Sequence, residues 1–316
     1  MKHIPVLKNE IVSAFGYLSK RAVFVDGTLG AAGHSIAIAI ESKVKSQNSK
    51  VIGIDKDTTA LEIAKENIDK AGLSDNFVLV HDDFKNIKQI LTDQGIEKID
   101  GALLDLGVSS MQLDERARGF SFNDLDQNID MRMDQSAGRS AAEILNIYSE
   151  ETLARILKEY GDERYARNIA RNILVFRKDN KIKTVRDFVE IISHSIPPKV
   201  KATSKIHFAT RSFQAIRIEV NAELRDLDKA ISKYVEFLNP GGKLAVISFH
   251  SLEDEIVKRT FRKLSGLCEC PPKMPCICGQ NEIIEILTRK PVTAADQEIT
   301  ENPRSRSAKL RIAKKI

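Results

Sequence analysis

The chain has 316 residues, 42% of them hydrophobic, and a formal net charge of +5. That length allows one large domain or two moderate ones with a substantial buried core, and the charge leans only mildly toward anionic partners. No apolar run reaches membrane-spanning length, and Met1-Lys2-His3-Ile4-Pro5 is not a secretory signal, so a membrane partner is excluded and a cytoplasmic location is expected.

The first apolar run, residues 22–26, ends in Asp26 and opens into Gly27-Thr28-Leu29-Gly30-Ala31-Ala32-Gly33-His34. Strand, glycine-rich turn and helix in that order describe a nucleotide-type pocket at the carboxyl edge of a parallel sheet. Glycine at 27, 30 and 33 lets the backbone approach a ligand. Gly30 and Gly33 fit the last two positions of the dinucleotide fingerprint, but Thr28 stands where its first glycine belongs. Asp26 also puts a carboxylate where a pyrophosphate would lie. That acid suits a cationic ligand, such as the amino acid end of S-adenosylmethionine. The plainer alternative is a tight turn with no ligand. A second run, 51–54, ends in Asp55, which can accept both hydroxyls of a ribose.

Strands are also expected at 77–80 and 99–105, the latter ending in Asp105 at the same edge. Helical patterns at about 33–45, 57–71 and 84–94 alternate with them, which makes a doubly wound α/β half. The rhythm then stops. Residues 113–208 show no strand pattern; Ile144, Leu145, Leu153, Ile156 and Leu157 have helical spacing, as do Ile169, Ile173 and Leu174, and Pro197-Pro198 interrupts. A long helix near 212–238, a Pro240-Gly241-Gly242 turn and a strand at 243–248 resume the sheet. An insertion of about ninety residues at this edge is a natural place for substrate recognition. Within it, Arg164, Arg167 and Arg171 are spaced to share a helix face, either solvated and ion-paired or turned to a ligand.

The four cysteines lie together as Cys268-Glu269-Cys270 and Cys276-Ile277-Cys278. Zinc, free thiols and a redox role all remain open there, and the C-x-C spacing is tighter than a zinc knuckle's. From Pro303 to Ile316 there are six basic residues and no acid. That terminus reads as a solvated tail, a phosphate contact, or, from the alternation of 308–313, a last strand.

Several long motifs together resemble one family. They are His3-Ile4-Pro5-Val6-Leu7, Asp26-Gly27-Thr28-Leu29-Gly30, the run from Asp105-Leu106-Gly107-Val108-Ser109-Ser110 to Asp114, Arg118-Gly119-Phe120-Ser121-Phe122 and Asp130-Met131-Arg132-Met133-Asp134. Phe213-Gln214-Ala215-Ile216-Arg217-Ile218, Ser248-Phe249-His250-Ser251-Leu252-Glu253-Asp254 and Asn302-Pro303-Arg304-Ser305-Arg306-Ser307 continue them to the end of the chain. The chain is similar to the bacterial ribosomal RNA small-subunit methyltransferase H family, also called MraW. Two departures stand out: the family usually has Gly-Gly-His where this chain has Ala32-Gly33-His34, and Asp-Gly-Pro-Leu where it has Asp126-Gln127-Asn128-Ile129. The methyl group at 32 is expected to be tolerated if that backbone is not left-handed.

The resemblance implies a Rossmann-like class I methyltransferase sheet, residues 1–112 and 209–316, with an inserted helical substrate-recognition domain at 113–208. It implies methyl transfer from S-adenosyl-L-methionine to the exocyclic N4 amine of a cytidine in the decoding centre of 16S rRNA, in the small ribosomal subunit. Ala32, Gly33 and His34 would meet the methionine end of the cofactor and Asp55 its ribose. Phe84 would cover the adenine, and Asp105 and Gln112 would close the site beside the methyl. Asp105 is also the first candidate for a catalytic acceptor of the amine's hydrogens. His250 is the second catalytic candidate, as proton acceptor, against a structural histidine at a strand end. Asp130 and Arg132 read as an internal salt bridge, or Arg132 as an RNA contact. The rivals are methylation of another RNA amine, a non-catalytic ribosome-binding protein, and a nicotinamide-dependent dehydrogenase, which Asp26 and Thr28 disfavour. A homodimer is left open.

Overall fold

The structure is a computed structural model that describes residues 5–19, 21–42, 49–204, 206–267 and 281–316, apart from the side chains of Ser110 and Arg116. The four cysteines, and the zinc, thiol and redox readings attached to them, lie outside the described residues. The chain divides into two compact units, Met1–Gly107 with Asp226–Ile316, and Val108–Arg225. No helix among the described residues is long and apolar enough to cross a membrane.

The first unit is built on seven strands: β1 (Val23–Asp26), β2 (Lys50–Asp55), β3 (Phe77–His81), β4 (Ile99–Asp105), β5 (Leu238–Ser248), β6 (Ile284–Ile286) and β7 (Lys309–Lys315). Their order is β3-β2-β1-β4-β5-β7-β6. The first five are parallel, and β7 runs antiparallel between β5 and β6. This is the doubly wound, Rossmann-like sheet that the sequence implies.

Both faces of the sheet are covered, which is why its central strands read as unbroken apolar runs. Alternate residues feed two separate cores. Phe24, Val51, Leu103, Ala245 and Ile247 join Ile11, Phe15, Ile38 and Ile68 of helices Lys8–Phe15, Gly33–Glu41 and Thr58–Lys70 on one face. Val25, Ile52, Ala102, Leu104, Leu244 and Val246 join Ile90, Ile231, Tyr234 and Phe261 of helices Ile87–Asp93, Leu227–Phe237 and Ser251–Leu264 on the other.

Two expectations need correction, and one open reading is decided. The single long helix near 212–238 is two helices, Thr210–Asn221 and Leu227–Phe237, because Ala222 (φ 49°) and Asp226 (φ 56°) turn left-handed between them. The turn at Pro240-Gly241-Gly242 sits inside β5 as an irregularity in its pairing with β4, rather than before the strand. The basic terminus is the strand of the three readings. Arg311 and Lys309 of β7 pair with Asp254 at 2.7 and 3.2 Å, and Lys314 pairs with Glu285 of β6.

The second unit is helical. Helices Ala141–Ile147, Glu150–Gly161, Ala166–Asp179, Val185–Ser195 and Thr210–Asn221 enclose one core. The apolar residues read at helical spacing lie in it, with Leu174 at its margin. Ser140 and Thr184 start their helices through reciprocal caps with Glu143 and Asp187, the Ser/Thr-x-x-acid pattern that satisfies two orphan amides at once.

Candidate active site

Strand order reverses at β1 and β4, which are neighbours although two strands, β2 and β3, separate them in sequence. Ligands of open α/β sheets settle outside the carboxyl ends of the strands at such a switch point. Asp26, Asp55 and Asp105 end β1, β2 and β4 there. Three carboxylates at one edge repel one another, and the protein manages each differently.

Asp26 is turned inward. It is 1% exposed and accepts from Ser35 Oγ at 2.5 Å and from the Thr28 amide at 3.2 Å. Burial pushes its pKa up to about 6 against these two bonds, with a smaller push from Asp55. It therefore pins the turn rather than presenting a charge to a ligand, which corrects the sequence reading. The folded chain holds this proton more tightly than the unfolded chain, so the group's stability contribution falls as pH rises from about 4 to about 6, by about 3 kcal/mol. Asp26→Asn is expected to remove that loss. Its melting temperature should exceed the parent's near pH 7 and match it near pH 4, and an unchanged pH slope would contradict the assignment.

Thr28 explains its own departure from the dinucleotide pattern. Its Oγ1 accepts from the Asp105 amide at 2.6 Å and so ties the end of β4 to the turn after β1, which glycine could not do. Asn67 of helix Thr58–Lys70 holds the Ala31 carbonyl at 3.0 Å. Gly30 (φ 51°) is left-handed, as glycine permits, but so is Ala32 (φ 63°), against the condition set for tolerating its methyl group. An L-residue in that region costs about 1–2 kcal/mol. The methyl is fully buried in the core, which returns about 0.8 kcal/mol.

His34 begins the helix after the turn and is held from two sides. Its Nε2 lies 2.8 Å from the Val6 carbonyl, which can only accept, so Nε2 carries the proton. Its Nδ1 lies 3.9 Å from Asp105 Oδ2. The segment that supplies Val6 is fixed in turn by Glu298, whose Oε1 accepts from the Leu7 amide at 2.7 Å. Pro5 packs so close to Gly33 that a Cβ there would lie 2.6 Å from its ring. Sequence reasoning missed Glu298, which acts on a residue 291 positions away and carries no local signal.

Asp55 accepts from the Gly30 amide at 2.8 Å on one oxygen and from the Asp57 amide at 2.9 Å on the other. Burial raises its pKa in spite of these bonds. Each oxygen keeps a second lone pair. Phe84 follows Asp83, whose carboxylate pairs with Lys56 at 2.7 Å, and a Cβ at Gly27 would lie 3.1 Å from the Phe84 Cβ. The ring is partly buried against the core.

Asp105 has the least compensated charge. Its Oδ1 is buried with no hydrogen-bond partner. Burial first, then the neighbouring carboxylates of Asp26 and Glu253, raise its pKa well above the ordinary range. Glu253, 1% exposed, was missed by sequence reasoning. It accepts from the Phe249 and His250 amides while His250 Nδ1 accepts from the Glu253 amide, which makes a capping box for helix Ser251–Leu264. His250 therefore caps the helix through Nδ1, while its buried Nε2 lies 3.2 Å from Glu253 Oε1 without a hydrogen bond. The pattern His-x-x-Glu before an apolar helix was the available signal.

The remaining sequence candidates belong to the second unit. Gln112 is nearly buried, and its Oε1 accepts from the Ser109 amide while its own amide donates to Ser109 Oγ. Ser109-x-x-Gln112 was a legible capping box. Arg132 grips Asp130 with two parallel bonds of 2.9 and 2.8 Å, the internal salt bridge of the two readings. Arg164 precedes the helix that starts at Ala166, so it does not share a face with Arg167 and Arg171.

The model of the MraW methylase family matches residues 1–316 of the chain. A protein named Ribosomal RNA small subunit methyltransferase H from Finegoldia magna is 45% identical over 316 residues, 100% of this chain and 99% of its own. Proteins of the same name from Clostridium botulinum strain Kyoto and from Citrifermentans bemidjiense are 47% and 46% identical, again over at least 98% of each chain.

Proposed function

Because the chain belongs to the MraW methylase family, we propose that it transfers a methyl group from S-adenosyl-L-methionine to the N4 amine of a cytidine in the decoding centre of 16S rRNA. Its place of work is the small ribosomal subunit in the cytoplasm. Membership of a methylase family sets the dehydrogenase alternative aside. The observation that carries the cofactor assignment is the edge itself. An enclosed Asp105 oxygen lacks a donor, and the Asp55 carboxylate has lone pairs to spare beside a glycine turn. A ligand bearing an ammonium group and a ribose diol supplies the missing donors.

S-adenosyl-L-methionine contributes an electrophilic methyl group on a sulfonium. The chain must hold that group, aim the amine at it and exclude water. Ala32, Gly33 and His34 line the methionine end, Asp55 takes the ribose hydroxyls, Phe84 covers the adenine, and Asp105 and Gln112 close the site. A cytosine amine is a weak nucleophile because its lone pair is delocalised into the ring. Asp105 accepts hydrogen bonds from the amine and favours its attacking, pyramidal form. His250 is assigned a positioning role through Glu253, in place of direct proton transfer. The second unit recognises the RNA, from which the target base must leave its stack.

Two measurements test the map. Asp55→Ala is expected to weaken S-adenosyl-L-methionine binding by calorimetry by about 1.5–3 kcal/mol, the size of a lost charged hydrogen-bond set. Unchanged affinity would remove Asp55 from the site. Glu298→Ala is expected to raise the cofactor KM several-fold and to leave the KM for RNA alone, whereas Glu298→Gln, which keeps the accepting oxygen, restores it. Equal defects in both variants would refute the relay through Val6 to His34.

A further inference from the structure

A cavity of about 260 Å³ lies wholly inside the second unit, where helices Val185–Ser195, Pro198–Thr203 and Thr210–Asn221 meet the bend before Ala166. None of the residues assigned above lines it. Its charge is lopsided. Arg164, Lys201 and Arg211 face one acid, Glu163, and that acid is turned into the protein, where it accepts from the Tyr165 amide and from Ser212 Oγ. Burial lowers the pKa of His207, so its ring adds no charge at neutral pH.

The cations differ in what already holds them. Arg164 is exposed and makes no hydrogen bond or ion pair among the described residues. Arg211 gives one of its five donors to the Asp162 carbonyl at 2.9 Å. Lys201 is fastened to Ser193 and lies 5.6 Å from the centre of the Phe208 ring. Beside them is an apolar, aromatic wall. His207 stacks on Phe122 with ring centres 4.3 Å apart and stands 4.3 Å from Phe208, and Ile206 and Val200 leave 49% and 39% of their surface in solvent.

Fixed cations beside exposed apolar and aromatic surface fit an anion joined to a planar body. A duplex offers phosphates but hides its base faces, so the wall would have no partner. A single strand offers both, because a splayed base stacks on apolar rings while its phosphate meets the arginines. An acidic peptide would use the cations and leave the wall bare. We propose that this basin binds one unpaired nucleotide of the RNA substrate outside the target cytidine, its phosphate on Arg164 and Arg211 and its base against the wall of Ile206, His207 and Phe208. This rests on the RNA-methylating function proposed above.

The test uses the full chain and a fluorescent dodecamer of uridine, read by anisotropy over a salt series. Arg164→Ala should weaken binding several-fold and Arg164→Ala with Arg211→Ala more than tenfold. The double variant should lower the slope of log affinity against log salt by about 0.7, the value for one lost single-strand phosphate contact. Cofactor affinity and melting temperature should stay at parental values, and the KM for small subunits should rise at constant kcat. Parental affinity and slope in the variants, with a parent that binds the oligonucleotide and methylates subunits, would overturn the basin alone. So would equal binding of a uridine–adenine duplex, or displacement of the oligonucleotide by a glutamate dodecapeptide. A parent that neither binds RNA nor methylates subunits would overturn the basin and the proposed function together.

Discussion

Replacing Asp105 with asparagine is expected to lower the rate of methyl transfer by roughly 10²–10³, the range for losing one preorganised electrostatic partner of a transition state, while raising the stability of the fold. The two effects move in opposite directions for one reason. The carboxylate is held at the switch point with an enclosed oxygen that no protein donor reaches. Burial and the charges of Asp26 and Glu253 push its pKa well above the ordinary range. A carboxyl group raised in this way stabilises the folded chain only while it stays protonated, and that contribution is lost as pH rises through its folded-state pKa. Asparagine keeps the shape and removes the charge. Melting temperatures should therefore rise in the variant at pH above the folded-state pKa of Asp105 and converge with the parent's in acid. Single-turnover transfer of a labelled methyl group gives the rate. A variant that is both slower and less stable would make Asp105 a structural residue.

Deleting residues 303–316 is expected to abolish folding of the first unit, where a tail bound to RNA would only have lost salt-sensitive affinity. β7 lies between β5 and β6, so its removal strands both, exposes a long sheet edge and invites aggregation. It also strips the buried Asp254 of Arg311 and Lys309. Burial alone would raise the pKa of Asp254, but these two cations outweigh it and hold it below its ordinary value. That contribution is present above the unfolded-state pKa and lost as pH falls, opposite in sign to Asp26. The milder variant Arg311→Ala leaves Lys309 as a partner and is expected to cost about 1–3 kcal/mol, a fall of several degrees in melting temperature, with weakened acid sensitivity. Soluble, cooperatively unfolding protein after the deletion would contradict the placement of β7.

Asp26, Asp55 and Asp105 were legible because each closes an apolar run that a doubly covered sheet requires. The glycine turn between the first two was legible for the same local reason. What the turn is made of was not. Thr28 reaches the Asp105 amide across 77 positions, and Glu298 reaches Leu7 across 291; neither bond has a sequence pattern. The outward carboxylate expected at Asp26 failed because Ser35, nine residues on in the helix after the turn, takes its second oxygen. The break at 222–226 went unseen because Ala222 and Asp226 adopt left-handed backbone without glycine or proline to announce it. β6, at three residues, is too short to show a period. Alternation marked β7 correctly, but its basic side chains pointed equally to phosphate until Asp254 and Glu285 were seen opposite them.

The most direct measurement incubates the purified chain with labelled S-adenosyl-L-methionine and small ribosomal subunits that lack the modification, then digests the 16S rRNA to nucleosides for mass spectrometry. One labelled product is expected, N4-methylcytidine, mapping to a single position in the decoding centre and formed far more slowly with Asp105→Asn. Label on any other nucleoside, or none on any form of the subunit or its RNA, would contradict the proposed function.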